Sequence, residues 1–154
     1  MKKIIWIASY PKSGNTYVRS FLSHYIFEKN SCLNFEILKK IPKFDQNKIF
    51  KKIIDKNLLE DDLSYIKYSL KVQESLIENC NQDELIFKTH HFFGELNNHT
   101  FTNKENTLFF IYLIRDPREV IVSFANHNSM TIEEQLISFI SEDKLRKKDM
   151  EVIV

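Results

Sequence analysis

The sequence predicts one α/β domain, a parallel sheet flanked by helices, and three observations predict it. An apolar, β-branched run from Lys3 to Ser9 turns, within a short loop, into a helical pattern that starts at Asn15. A second run, Thr107 to Ile114, leads into Asp116-Pro117, a helix-capping aspartate followed by the residue best tolerated in a first turn. Leu85 to Lys88 reads as a shorter strand between them, so strands and helices alternate as they do in layered α/β domains.

Each element has its own justification. Lys3 to Ser9 lacks any helical spacing of polar residues and is apolar enough to be buried on both faces. From Asn15 to about Lys29, Val18, Phe21, Leu22, Tyr25 and Ile26 fall at i, i+3, i+4, i+7 and i+8, which predicts an amphipathic helix with these residues inward. Residues 31 to 80 are lysine-rich and carry two or three amphipathic helices, the best marked by Leu63, Ile66, Leu70, Gln73 and Leu76-Ile77. A last helix spans Ile132 to Ile140. No internal repeat, low-complexity tract or linker divides the chain, so residues 1 to 154 are read as one domain.

Composition narrows the function. The chain has 154 residues, 43% hydrophobic and 28% charged, the profile of a globular domain and not of a disordered one. With 22 basic against 21 acidic residues it carries no bulk field for nucleic acid or a membrane surface, so anion binding has to be local. The longest apolar run, Leu108 to Ile114, is far below the roughly 20 residues of a membrane span. Cys32 and Cys80 sit in no metal-ligand or CxxC spacing, which predicts no metal site and fits a reducing cytoplasm.

One of only two glycines falls in Tyr10-Pro11-Lys12-Ser13-Gly14-Asn15-Thr16, directly after the first strand. A strand turning sharply into a helix gathers the first free N–H groups at the positive end of the helix dipole, and phosphate or sulfate is the natural guest. Gly14 permits close backbone approach, Ser13 and Thr16 add hydroxyl donors, and Lys12 adds a point charge. The same residues also suit a plain turn capped by Ser13 or Asn15, with Lys12 a solvated charge. Arginine is concentrated here too: of four, Arg19, Arg115 and Arg118 lie in or beside this loop and the segment after the last strand, and Arg146 lies near the C-terminus. The nucleotide-triphosphate loop GxxxxGK[ST] is not matched, since the lysine precedes a single glycine, and a magnesium-dependent kinase is disfavoured.

Tyr10 to Tyr17 resembles the 5′-phosphosulfate loop, YPKSGTTW, of sulfotransferases that use 3′-phosphoadenosine 5′-phosphosulfate, with Asn15 and Tyr17 as departures. Tyr112-Leu-Ile-Arg115-Asp-Pro-Arg-Glu-Val-Ile-Val-Ser123-Phe is similar to that family's 3′-phosphate segment, YxxRNPKDVxVSxY, with Asp116 and Phe124 as departures. Phe87-Lys88-Thr89-His90 resembles its KTH segment, and the three motifs stand in the family's order.

The resemblance implies a P-loop-NTPase-like parallel sheet, and it covers the N-terminal half of such a domain, so the expected fold is a truncated one. No GxxGxxK element follows, the other glycine being Gly94. It implies transfer of a sulfuryl group to a hydroxyl or amine acceptor, a small molecule or glycan, without a metal. Lys12, Ser13, Gly14, Asn15, Thr16 and Tyr17 would hold the 5′-phosphosulfate and adenine, and Arg115 with Ser123 the 3′-phosphate. His90 would be the base, and Lys88 with Lys12 would neutralise charge on the sulfuryl and bridging oxygens.

Without the family, Arg115 at a strand end and Ser123 eight positions later, roughly 12 Å of helical rise, can face one phosphate. They equally suit an arginine paired to Glu119 or capping a carbonyl beside a serine that merely solvates its helix. His91 next to His90 leaves the functional histidine to be settled by geometry, and Lys88 alone is equally a strand-end lysine in water. Three readings follow: a sulfotransferase, a non-catalytic nucleotide-binding remnant, and a half-domain that associates with a complementary C-terminal half or with itself.

Overall fold

The computed structural model describes residues 2–28, 35–44, 47–59, 62–81 and 85–141. Lys29, Cys32, Arg146 and the segment from 147 to 154 lie outside them. In chain order the elements are β1 (Ile4–Ser9), α1 (Asn15–Phe27), a 3-10 turn (Phe35–Lys40), α2 (Asn47–Phe50), a second 3-10 turn (Lys56–Leu58), α3 (Asp62–Lys67), α4 (Ser69–Asn79), β2 (Leu85–Thr89), β3 (Glu95–Leu96), β4 (His99–Thr100), β5 (Thr107–Leu113), α5 (Pro117–Asn128) and α6 (Ile132–Ile140).

The expected parallel α/β build is present. The sheet runs β2-β1-β5 with β1 in the middle, Ala8 opposite Thr89 and Ser9 opposite Leu113. Both pairings are parallel, so all three strands deliver their C-terminal ends to one edge. The outer side of β2 is covered by a bridge from Lys43 to Lys88. A register shift at Leu108 disturbs the start of the β1–β5 ladder. No helix among the described residues is long and apolar enough to cross a membrane.

Side chains alternate between two cores, as a two-faced strand requires. On one face Ile4, Trp6, Leu85 and Phe87 pack with Phe44, Phe50, Ile54, Val72 and Phe101; on the other Ile7, Ile86 and Ile41 pack with Leu22. Trp6 is wholly buried, with Phe44 edge-on at 5.0 Å and Phe101 at 4.9 Å. Such ring pairs add ~0.5–1.5 kcal/mol beyond their burial.

The indole N–H donates to Thr107 Oγ1 at 3.0 Å and begins a buried polar chain. Thr102 Oγ1 lies 2.8 Å from Thr107 Oγ1 and donates to Gln73 Oε1, while Gln73 Nε2 and Ser69 Oγ donate to the Phe101 carbonyl. This chain explains why the helix expected from Leu63 to Ile77 is two. At Tyr68 (φ −97°, ψ 1°) the backbone leaves helical geometry, and Ser69 and Gln73 both reach the one carbonyl.

Helix α1 departs from its pattern more deeply. Leu22 packs inward, but Phe21 and Tyr25 are exposed and stack on one another at 6.2 Å. The inward line is polar: Asn15, Arg19 and Ser23. Arg19 donates to the carbonyls of Leu38 and Ile41, closing the end of the 3-10 turn, and burial pushes its guanidinium below its ordinary pKa. Backbone acceptors supplied from elsewhere in the chain override the helix's apolar periodicity. The hairpin β3–β4, absent from the sequence reading, turns on Asn97 and Asn98, both at positive φ.

Candidate active site

Ligands of open parallel sheets bind beyond the carboxyl ends of the strands, and the three motif segments leave that edge side by side. The loop from Tyr10 to Gly14 lies in the middle because β1 does. Ser13 N–H donates to the Tyr10 carbonyl at 3.2 Å, and the turn carries two left-handed residues, Lys12 (φ 66°) and Gly14 (φ 90°). A Cβ on Gly14 would meet nothing within 4 Å, so glycine is required there by conformation and not by space. Lys12 holds the same region with a side chain, at a cost of roughly 1–2 kcal/mol.

Gly14 is the N-cap of α1 and no side chain caps it, so neither Ser13 nor Asn15 fills the capping role of the plain-turn reading. The first N–H groups of α1 are thereby left for an anion. Thr16 and Tyr17 are exposed at that turn, and Ser13 and Lys12 are half-buried. Asn15 differs: its side chain points into the protein, where Nδ2 donates to the Ile7 carbonyl and to Ser9 Oγ, each at 3.1 Å. Any contact it makes with an anion in the loop is therefore through its backbone N–H.

At the end of β2 the two histidines separate. His91 is buried against Phe101, ring to ring at 4.7 Å. His90 is half-buried beside the first loop, with Nδ1 2.7 Å from the Ser9 carbonyl and Nε2 against Lys88 Nζ. A carbonyl only accepts, so Nδ1 carries the proton and Nε2 presents the lone pair to the lysine ammonium. Lys88 is buried, 8% exposed, and is not a strand-end lysine in water. A basic nitrogen and a cation are thus held together at the edge of the anion loop.

After β5, Asp116 caps α5 by accepting from Arg118 N–H, and the Arg118 guanidinium beside it holds the Asp116 carboxyl below the usual carboxylate range. Arg115 sends Nη1 to the Lys12 carbonyl at 2.9 Å and Nη2 to Glu119 at 3.2 Å. Both contacts named for a structural arginine are therefore made. The first of them also joins the first loop to the third segment. Ser123 is half-buried on α5, and among the described residues no hydrogen bond joins it to Arg115. Tyr10, not among the candidate site residues, packs on Phe124 and Phe139, each at 6.3 Å, and these two meet at 5.3 Å, so α5 and α6 buttress the loop.

The family model described as Sulfotransferase domain matches residues 2–151. The chain belongs to the sulfotransferase domain family. No match was found among curated proteins. Membership gives the domain a sulfotransferase-type function. The lone pair on His90 and the ammonium of Lys88 beside it are chemically able to accept a proton and to stabilise negative charge.

Proposed function

We infer that this sulfotransferase domain moves a sulfuryl group from 3′-phosphoadenosine 5′-phosphosulfate to a hydroxyl or amine of a small molecule or glycan. The observation that carries the reading is His90, fixed by the Ser9 carbonyl with Nε2 basic and turned to Lys88. The α1 N-terminus and Lys12 receive the 5′-phosphosulfate, and Arg115 with Ser123 the 3′-phosphate. Lys88 then exchanges its contact with His90 for a sulfuryl oxygen, which frees Nε2.

The acceptor oxygen attacks sulfur and its proton passes to Nε2. The new O–S bond forms as the bond from sulfur to the bridging phosphate oxygen breaks, and the electron pair leaves on that oxygen beside Lys12. Adenosine 3′,5′-bisphosphate departs, and no metal takes part on this reading. A reducing cytoplasmic setting belongs to it as well, supported by two dispersed cysteines.

The test is calorimetry with adenosine 3′,5′-bisphosphate, followed by transfer assays with the sulfated donor. Lys12→Ala should lower transfer by about a hundred- to a thousandfold, since it removes charge where negative charge grows. Transfer within a few-fold of wild type would sink the assignment of Lys12. Nucleotide affinity with no transfer to any acceptor would select the non-catalytic binding reading.

A further inference from the structure

We propose that Arg115 is a positioning residue for Lys12, strapping the anion loop into shape with one edge of its guanidinium and keeping the other for the 3′-phosphate. The proposal rests on the donor reading above and deepens it, because it makes recognition of the two ends of the nucleotide interdependent. Two independent observations carry it. Lys12 sits at φ 66°, a left-handed conformation that a residue with a side chain keeps only when its surroundings hold it there. The bond on its own carbonyl comes from Arg115 Nη1 at 2.9 Å, across 103 residues of chain.

The sheet makes this reach possible. Ser9 and Leu113 are register partners, so the loop after β1 and the loop after β5 start as neighbours. A guanidinium has five N–H donors in a fixed plane, and the Lys12 and Glu119 bonds use two of them. Glu119 is a surface partner one helical turn away, with its side chain 63% exposed. A phosphate dianion arriving at that edge replaces the carboxylate, while the bond to Lys12 persists. Glu119 is then a placeholder, and Arg115 links the pose of the Lys12 ammonium to the 3′-phosphate site.

Binding of adenosine 5′-monophosphate and adenosine 3′,5′-bisphosphate to Arg115→Ala, Lys12→Ala and the double variant separates the roles. A residue serving only the 3′-phosphate leaves the monophosphate untouched. The strap predicts that Arg115→Ala weakens the monophosphate by about three- to tenfold and the bisphosphate by more. In the Lys12→Ala background, which keeps the strapped carbonyl but lacks the ammonium it positions, the same change should cost the monophosphate less than it costs wild type, a non-additivity that a general loosening of the fold would not produce. Glu119→Gln should tighten the bisphosphate about two- to fivefold and leave the monophosphate alone.

Equal monophosphate affinity in wild type and Arg115→Ala, or additive losses in the double variant, would overturn the strap. If wild type shows no preference for the bisphosphate, the donor reading falls while the monophosphate comparison still decides the strap. If it binds neither nucleotide, amide exchange at Ser13 to Thr16 decides it: faster exchange in Arg115→Ala supports the strap, and unchanged exchange refutes it.

Discussion

Replacing Thr107 with valine changes one hydroxyl to a methyl at nearly constant volume, at a residue 9% exposed. Thr102 keeps its bond to Gln73 after the change, so it retains a partner. The indole N–H of Trp6 does not: the residue is fully buried and Thr107 Oγ1 is its acceptor at 3.0 Å. Leaving one buried donor unsatisfied costs ~1–3 kcal/mol. For a chain of this size, each kcal/mol lowers the melting midpoint by about 2–4 °C, so a cost of about 2 kcal/mol should lower it by about 4–8 °C. Urea unfolding gives the free energy directly, and the control is Trp6→Phe, which removes the donor. In that background Thr107→Val should cost under about 0.5 kcal/mol, a coupling near 1.5 kcal/mol. Equal costs in both backgrounds would refute the view that this bond ties β1 to the start of β5.

His90→Ala should depress turnover while bisphosphate affinity stays within about twofold, because on the proposed mechanism the imidazole takes the acceptor's proton. His91→Ala should lower stability by about 1–3 kcal/mol in urea unfolding, since it removes a buried ring from Phe101; a loss of turnover confined to His91→Ala would transfer the base to that residue. Asn15→Ala should cost about 1–2 kcal/mol, because the Ile7 carbonyl and Ser9 lose a buried donor while the amide oxygen, itself buried without a partner, goes with them. Glu134 accepts from the Thr131 backbone and hydroxyl in a capping box, which holds its carboxyl below the usual range. A lowered folded pKa contributes stability above the ordinary carboxylate value and loses it as pH falls through the folded one. The stability gap between wild type and Glu134→Gln should therefore be open at pH 7 and narrow as pH falls below the ordinary carboxylate value, and a gap unchanged with pH would contradict it.

Local chemistry was legible where a residue's partner lies close in sequence. The Asp116-Pro117 start of α5 follows from a cap that acts within three residues, and α6 spans the expected Ile132 to Ile140, opened by a capping box equally local. Strands β1 and β5 were legible from apolar runs alone. The inward face of α1 was not, because Asn15 and Arg19 turn inward for the carbonyls of Ile7, Leu38 and Ile41, which the helical period does not encode. The asparagine pair of the β3–β4 turn was visible, but two-residue strands are too short to show alternation. At the site, the motifs named Lys12, Lys88, His90 and Arg115 in sequence. The burial of Lys88, the inward turn of Asn15 and the bond from Arg115 to Lys12 are long-range facts of packing. The aromatic contact of Tyr10 with Phe139 is another, between residues that no shared motif connects.

The enclosure of Trp6 by phenylalanines gives the protein a built-in optical probe. It is the single tryptophan of the chain and wholly buried, so its fluorescence belongs to one place, the core under β1. Emission should be blue and poorly quenched by iodide in the native state, then shift to the red as one signal when that core opens to water. The residue is wrapped by Phe87 and Phe110 of the sheet and by Phe44 and Phe101 packed on it, and does not line the loop from Tyr10 to Gly14. Ligands that merely fill the loop should leave the emission unmoved. A nucleotide titration that shifted it would show the sheet itself responding to what the loop holds.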